Sequence, residues 1–141
     1  MSLHDLYLRY RDRVQFWVIY IREAHPVDGW WLGGGITRQV TKAIGFTAAI
    51  DVYDPKIIEE RQAMAARCEL ELKYEIHTCV DSMDDAVSKA YAAQPTRLYL
   101  IGLDGRVVYA GGLGPFGFKP ADLGTAIEKY LAAGQTNSGG E

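Results

Sequence analysis

The stretch from Phe16 to Ile21 limits the choice of fold more than any other part of this sequence. It is a continuous run of aromatic and β-branched residues that ends abruptly at Arg22 and Glu23. Runs of this kind are typical of strands in a parallel sheet, where neighbouring layers cover both faces. The run therefore predicts a strand at or near the centre of an α/β sheet.

Helical patterns lie on both sides of this strand. Ser2 and Asp5 form a capping pair at the start of the chain, and Asp54 followed by Pro55 predicts the start of a long helix that ends near Lys73. Two further helices are predicted, one after the capping pair Ser82 and Asp85 and one from Pro120 to a terminating Gly134.

Further strands are predicted between these helices. Residues 74–80 alternate between apolar and more polar side chains, and residues 97–101 and 106–110 are joined by the tight-turn pair Asp104-Gly105. Residues 46–52 are a weaker candidate for a short strand. Strands separated by a helix must be parallel, and strands joined by a tight turn must be antiparallel. The order predicts an α/β fold with a mixed sheet and flanking helices, in one domain of residues 1–134 with a disordered tail of residues 135–141.

Composition excludes several classes of function. The formal net charge is -3 and basic residues are scattered, which argues against nucleic-acid binding. The sequence has neither an apolar signal core nor a run of about 18 apolar residues, so we expect a cytoplasmic protein that does not enter a membrane. The two cysteines are too few for a disulfide framework and have no metal-ligand spacing. Gly112, Gly114 and Gly117 form a G-x-G-x-x-G pattern outside any βαβ unit, so they do not predict a dinucleotide site. From the cysteines and these glycines together we expect no metal and no organic cofactor.

The segment Glu23-Ala24-His25-Pro26-Val27-Asp28-Gly29-Trp30 follows the first predicted strand. It resembles the segment of the iodothyronine deiodinases in which a buried strand ends in Glu-Ala-His-Pro, any residue, Asp-Gly-Trp. The similarity continues in the family's order through Gln94-Pro95 and Gly111 to Phe116, and covers about Leu6 to Leu131. The resemblance implies a thioredoxin-like fold, in which a proline before the hairpin is usually cis and faces the active site. Pro95, followed by Thr96, occupies that place.

The sequence also departs from the family. In deiodinases a strand and a loop with selenocysteine or cysteine precede the first helix, and this chain begins partway along that helix. The resemblance therefore implies a thioredoxin-like mixed sheet that lacks its usual first, active-site strand. We expect residues 46–52 to take that place, or a second copy to complete or abut the sheet in a homodimer.

The candidate site centres on His25, which resembles the family's catalytic histidine. Imidazole is suited to proton transfer near neutral pH, so His25 is the predicted proton donor. A loop histidine bonded to Glu23 or to the backbone is the alternative. The predicted binding residues around it follow the same resemblance: Glu23, Asp28, Trp30, Pro95 and Thr96.

The two thiols are weaker candidates. Cys79 is a catalytic candidate because it shares a strand face with Glu75 and His77, but such spacing is common on strands and favours a packing role over a redox one. Cys68 lies on the apolar side of its helix and is expected to act as a small hydrophobe.

Two functions follow from these features. The first is a non-catalytic domain that binds a small aromatic ligand or a partner around His25. The second is a thiol-dependent oxidoreductase or reductive dehalogenase related to the deiodinases.

Overall fold

A computed structural model of the chain describes residues 1–23, 53–73 and 75–136. The predicted strand at residues 46–52 lies outside these ranges. In chain order the described elements are α1 (Leu3–Tyr10), β1 (Trp17–Tyr20), α2 (Ile58–Leu72), β2 (His77–Val80), α3 (Ala86–Ala90), β3 (Tyr99–Ile101), β4 (Val107–Ala110) and α4 (Pro120–Thr136). The α/β class is confirmed.

The chain is divided into two compact units. One consists of Phe16–Pro95, and the other combines Met1–Gln15 with Thr96–Glu141. In the described residues the first unit contains a parallel pair of strands and the second an antiparallel pair. Both predicted kinds of strand pairing are therefore present. The single domain predicted for residues 1–134 stays a prediction.

The parallel pair joins β1 to β2, with Trp17 opposite His77 and Tyr20 opposite Val80. The edge of the Trp17 ring meets the His77 ring at a centroid distance of 4.6 Å. Trp17 and Ile19 are 52% and 43% exposed, so the prediction that both faces of β1 are covered is wrong. The two strands that the structure describes in this unit leave one face of β1 open, and a run of apolar residues does not show which face that is.

The helix α2 begins later than the sequence predicts. Asp54 is buried and accepts a hydrogen bond of 2.6 Å from Arg22 instead of capping the helix. Ile57 occupies the N-cap position without a side-chain cap. The end of the helix is confirmed at Lys73, which adopts the left-handed conformation with φ 51°.

The start of α3 also differs from the prediction. Asp85 is the N-cap residue, but its φ is 57° and its side chain caps nothing. The carboxylate of Asp81 accepts hydrogen bonds from the amides of Ser82, Val87 and Ser88 at 2.9, 3.0 and 2.8 Å. Asp81 satisfies the free amides at the start of α3 because it lies four residues upstream of the N-cap and is buried beside them.

Arg61 connects α2 to this turn. Its side chain is buried, and its guanidinium donates to the carbonyls of Asp81 and Ser82 at 3.3 and 2.6 Å. It also forms an ion pair of 2.9 Å with Asp85. The amide of Asp81 in turn donates to the carbonyl of Tyr20 at 2.8 Å. One buried cation therefore anchors the turn that lies beside the last residue of β1.

The second unit is built on the predicted hairpin. Tyr99 pairs with Ala110 and Leu100 with Tyr109, and Gly105 in the turn has a φ of 76°. The helix α4 packs on β3, β4 and α1. It starts at Pro120 as predicted but continues past Gly134 to Thr136, so the predicted helix end is two residues early. The buried apolar side chains of this unit are Leu6, Tyr10, Leu98, Leu100, Leu123 and Ile127.

Within the described part of the chain, no helix has the length and apolar character needed to cross a membrane.

Candidate functional site

Three of the predicted site residues, His25, Asp28 and Trp30, lie outside the described residues. The others lie within them: Glu23, Cys79, Pro95 and Thr96. The geometry of the candidate site is therefore built from the segment that leads into His25 and from the residues that contact it.

Glu23 lies three residues beyond the end of β1. Its backbone carbonyl accepts a hydrogen bond of 3.3 Å from the side-chain amide of Gln94. The peptide bond between Gln94 and Pro95 is cis. The start of the Glu-Ala-His-Pro segment and the residue before Pro95, 71 positions apart, thus meet within the unit Phe16–Pro95.

Nearby charges act on the side chain of Glu23. Burial raises the pKa of its carboxyl, the nearby charge of Asp54 raises it further, and Arg67 opposes both effects. Asp54 is itself held by Arg22. A carboxyl group with a raised pKa in a half-buried position exchanges a proton closer to neutral pH than an exposed glutamate does.

Cys68 belongs to the same cluster. Burial raises the pKa of its thiol, and the charges of Glu23 and Glu71 raise it further. A thiol with a raised pKa is protonated at neutral pH and is a poor nucleophile. These surroundings favour the packing role predicted for Cys68.

Cys79 lies on β2, opposite Ile19 in the parallel register, and is a free, half-buried thiol. It shares its strand face with His77. Its catalytic role stays a prediction.

Thr96 belongs to the other unit and is packed against the loop after β4. Its carbonyl accepts a hydrogen bond of 2.9 Å from the amide of Gly114, and its methyl group occupies the space that a side chain at Gly114 would need. A Cβ atom at Gly117 would likewise lie within 2.7 Å of the backbone of Gly112 and Leu113. The loop beside Thr96 is therefore closely packed backbone with no room for side chains at these glycines.

Sequence reasoning missed part of the cluster around Glu23. Asp54 carries a helix-start signal, Gln94 is marked only by its place before Pro95 in the family resemblance, and Arg67 carries no local signal. The hydrogen bond from Gln94 and the electrostatic effects of Asp54 and Arg67 on Glu23 depend on tertiary structure, since 31 or more residues separate each of the three from Glu23 along the chain.

The raised pKa of Glu23 predicts a pH-dependent effect of Glu23→Gln. The folded state binds the proton more tightly than the unfolded chain, so this carboxyl lowers the free energy of unfolding as the pH rises above its ordinary pKa of 4.5. Glu23→Gln should therefore be more stable than the wild type at pH 7, and the difference should vanish at about pH 3.5, where both states are protonated. Urea unfolding at several pH values measures this.

The exposed Glu59 provides the control, because Glu59→Gln removes a carboxylate from α2 without relieving burial. A Glu23→Gln variant that is equally or less stable than the wild type at pH 7 would contradict the assignment.

No group of three or more His, Cys, Asp and Glu side chains in the described ranges is placed to hold a metal ion.

Comparison with known proteins identifies the family of this chain. Residues 2–131 match the family profile described as iodothyronine deiodinase. Thyroxine 5-deiodinase of Sparus aurata is 34% identical over 122 residues, which cover 86% of this chain and 40% of that protein. The same enzyme of Gallus gallus is 33% identical over 129 residues, covering 92% and 44%. Type I iodothyronine deiodinase of Xenopus laevis is 31% identical over 131 residues, covering 91% and 44%.

The chain spans less than half the length of these curated relatives. The match includes the Glu23 to Trp30 segment, the residues around Pro95 and the loop after β4. On a profile match over residues 2–131 and these identities, the chain belongs to the iodothyronine deiodinase family.

Proposed function

We propose that this chain is a thioredoxin-like domain that binds a small aromatic ligand around His25 and does not itself remove halogen. The observation that carries the proposal is the cluster at Glu23. This cluster joins the Glu-Ala-His-Pro segment to Gln94 beside Pro95 and contains a carboxyl with a raised pKa. Its thiol, Cys68, also has a raised pKa and is therefore suited to packing.

The aromatic character of the ligand is supported by the family. The relatives are named for action on thyroxine or iodothyronines, which are iodinated aromatic amino acids. A binding site of this kind needs an apolar surface with a few fixed polar groups. In the proposal Trp30 provides the apolar contact, and His25, Glu23 and Asp28 provide the polar ones.

Binding of thyroxine, measured by isothermal titration calorimetry, tests this function. We expect His25→Ala to weaken binding at least about tenfold, because a buried hydrogen bond to a ligand contributes on the order of 1.4 kcal/mol. His4→Ala, in α1, is the matched control and should bind as the wild type does. Equal affinities of wild type and His25→Ala would overturn the assignment of the site.

The second candidate is thiol-dependent reductive dehalogenation, favoured by the family membership. In that reaction a thiolate takes up the iodine, the aromatic ring receives a proton from His25, and an added dithiol reduces the resulting sulfenyl iodide to thiol and iodide. Iodide release from thyroxine with dithiothreitol, lost in Cys79→Ser, would establish this function. Absence of release by a protein that binds thyroxine supports the binding domain.

We also propose that the chain forms a homodimer in which a second copy completes or abuts the sheet. The exposed apolar side chains of Trp17 and Ile19 on β1 support this, because open apolar faces favour association. Light scattering at micromolar concentration should give the mass of a dimer. A monomer with full secondary structure by circular dichroism would contradict it.

A further inference from the structure

A cavity of about 190 Å³ lies between α1, the turn after it and α4. It belongs entirely to the unit formed by Met1–Gln15 and Thr96–Glu141, which does not contain the cluster at Glu23. The lining residues are Arg9, Tyr10, Arg13, Glu128, Leu131 and Ala132.

The charges in this cavity do not cancel. One carboxylate oxygen of Glu128 accepts the hydroxyl of Tyr10 at 2.8 Å and pairs with Arg9 at 2.9 Å. The guanidinium of Arg13 lies 5.5 Å from the centroid of the Tyr10 ring, and that of Arg9 lies 5.2 Å from the same centroid. The lining therefore contains two cations and one carboxylate, which leaves an excess positive charge in the cavity.

Arg13 is the cation with spare hydrogen-bonding capacity. Its guanidinium has no carboxylate partner in the described part of the chain, whereas Arg9 is occupied by Glu128. Tyr10 is only 2% exposed, so the ring under the two guanidinium groups is a fixed support rather than a mobile side chain. A planar guanidinium supported on an aromatic ring is well prepared to bind a carboxylate through two parallel hydrogen bonds.

The remaining lining is apolar. Leu131 and Ala132 follow Glu128 on α4 and provide a hydrocarbon surface beside the cations. A site with an apolar wall and a single unoccupied cation selects an anion that carries a hydrocarbon group over a bare inorganic ion.

We propose that this cavity binds a small carboxylate with an aryl or short alkyl group. Its carboxylate pairs with Arg13, and its hydrocarbon part packs on Leu131 and Ala132. A benzoate-sized ligand fits a cavity of about 190 Å³. The inference is independent of the function proposed for the His25 region, because all of its residues belong to the other unit.

Titration of the full chain with benzoate, followed by amide chemical shifts in NMR, tests this site. We expect saturable shifts at the lining residues with a Kd on the order of 1 mM. Arg13→Gln should weaken binding at least fivefold. Arg13→Lys should weaken it less, because lysine keeps the positive charge although it cannot form the two parallel hydrogen bonds of a guanidinium. Arg11→Gln is the matched control: Arg11 lies over Tyr7 and does not line the cavity, so its loss should leave the affinity unchanged.

Benzyl alcohol and inorganic phosphate separate the two parts of the proposal. Each lacks one of the required features, and each should bind at least fivefold more weakly than benzoate. Equal binding of benzyl alcohol and benzoate would overturn the role of Arg13. Equal losses in Arg13→Gln and Arg11→Gln would show a general charge effect and no defined site.

Discussion

Arg61→Met should lower the free energy of unfolding by about 3–5 kcal/mol. The substitution keeps an unbranched side chain of similar length on α2, but it removes the buried cation that pairs with Asp85 and donates to the carbonyls of Asp81 and Ser82. A half-buried carboxylate and two carbonyl groups then lose their donor. Domains of this size have a total stability of about 5–15 kcal/mol, so the substitution should remove a large share of it.

Urea unfolding followed by circular dichroism measures this effect. Arg67→Met is the control, because Arg67 lies on the same helix, is 48% exposed and pairs with Glu71 near the surface. That variant should lose less than about 1 kcal/mol. If both variants lose the same amount, the buried network around Arg61 does not determine the stability of this unit.

Gly117→Ala should destabilise the other unit by about 2–3 kcal/mol. A methyl group at Gly117 would overlap the carbonyl carbon of Gly112 and lie 2.5 Å from the carbonyl oxygen of Leu113. Both obstacles are backbone atoms, so neither can turn away as a side chain could. Movement of Leu113 would also strain the hydrogen bond of 2.8 Å that its carbonyl accepts from the amide of Gly117.

Gly134→Ala is the matched substitution with the opposite expected sign. Gly134 is exposed in α4, and a methyl group there would have no atom within 4 Å. Alanine should increase the stability by about 0.5–1 kcal/mol, because it restricts the unfolded chain and suits a helix. Thermal unfolding of both variants gives the comparison. A Gly117→Ala variant as stable as Gly134→Ala would show that the loop after β4 adjusts freely.

The sequence patterns predict the presence of helices and strands better than they predict where these begin and end or which tertiary contacts they make. The capping pair of Ser2 and Asp5, the turn at Gly105 and the start of α4 at Pro120 were all predicted correctly. Each depends on residues a few positions apart, whose conformations follow from local hydrogen bonds and backbone sterics. Local chemistry therefore determined most of the secondary structure.

The wrong predictions of helix caps concern aspartates that have two possible partners. Asp54 and Asp85 both have the residue type of a helix cap, yet Asp54 pairs with Arg22 and Asp85 with Arg61. A cap and a buried ion pair compete for the same carboxylate, and only the tertiary contact decides between them. For the same reason the Glu23 cluster required the structure, whereas the importance of the segment that begins at Glu23 was evident from its resemblance to the family.

The discontinuous course of the second unit determines when it can form during synthesis. Leu6 and Tyr10 belong to the same buried core as Leu123 and Ile127, more than 100 residues later in the chain. When a ribosome has made the chain as far as Pro95, every described residue of the unit Phe16–Pro95 has been synthesised. At that stage α4, the helix on which α1 packs, does not yet exist. The unit Phe16–Pro95 can therefore fold first. The apolar side of α1 stays exposed to solvent until α4 has been synthesised.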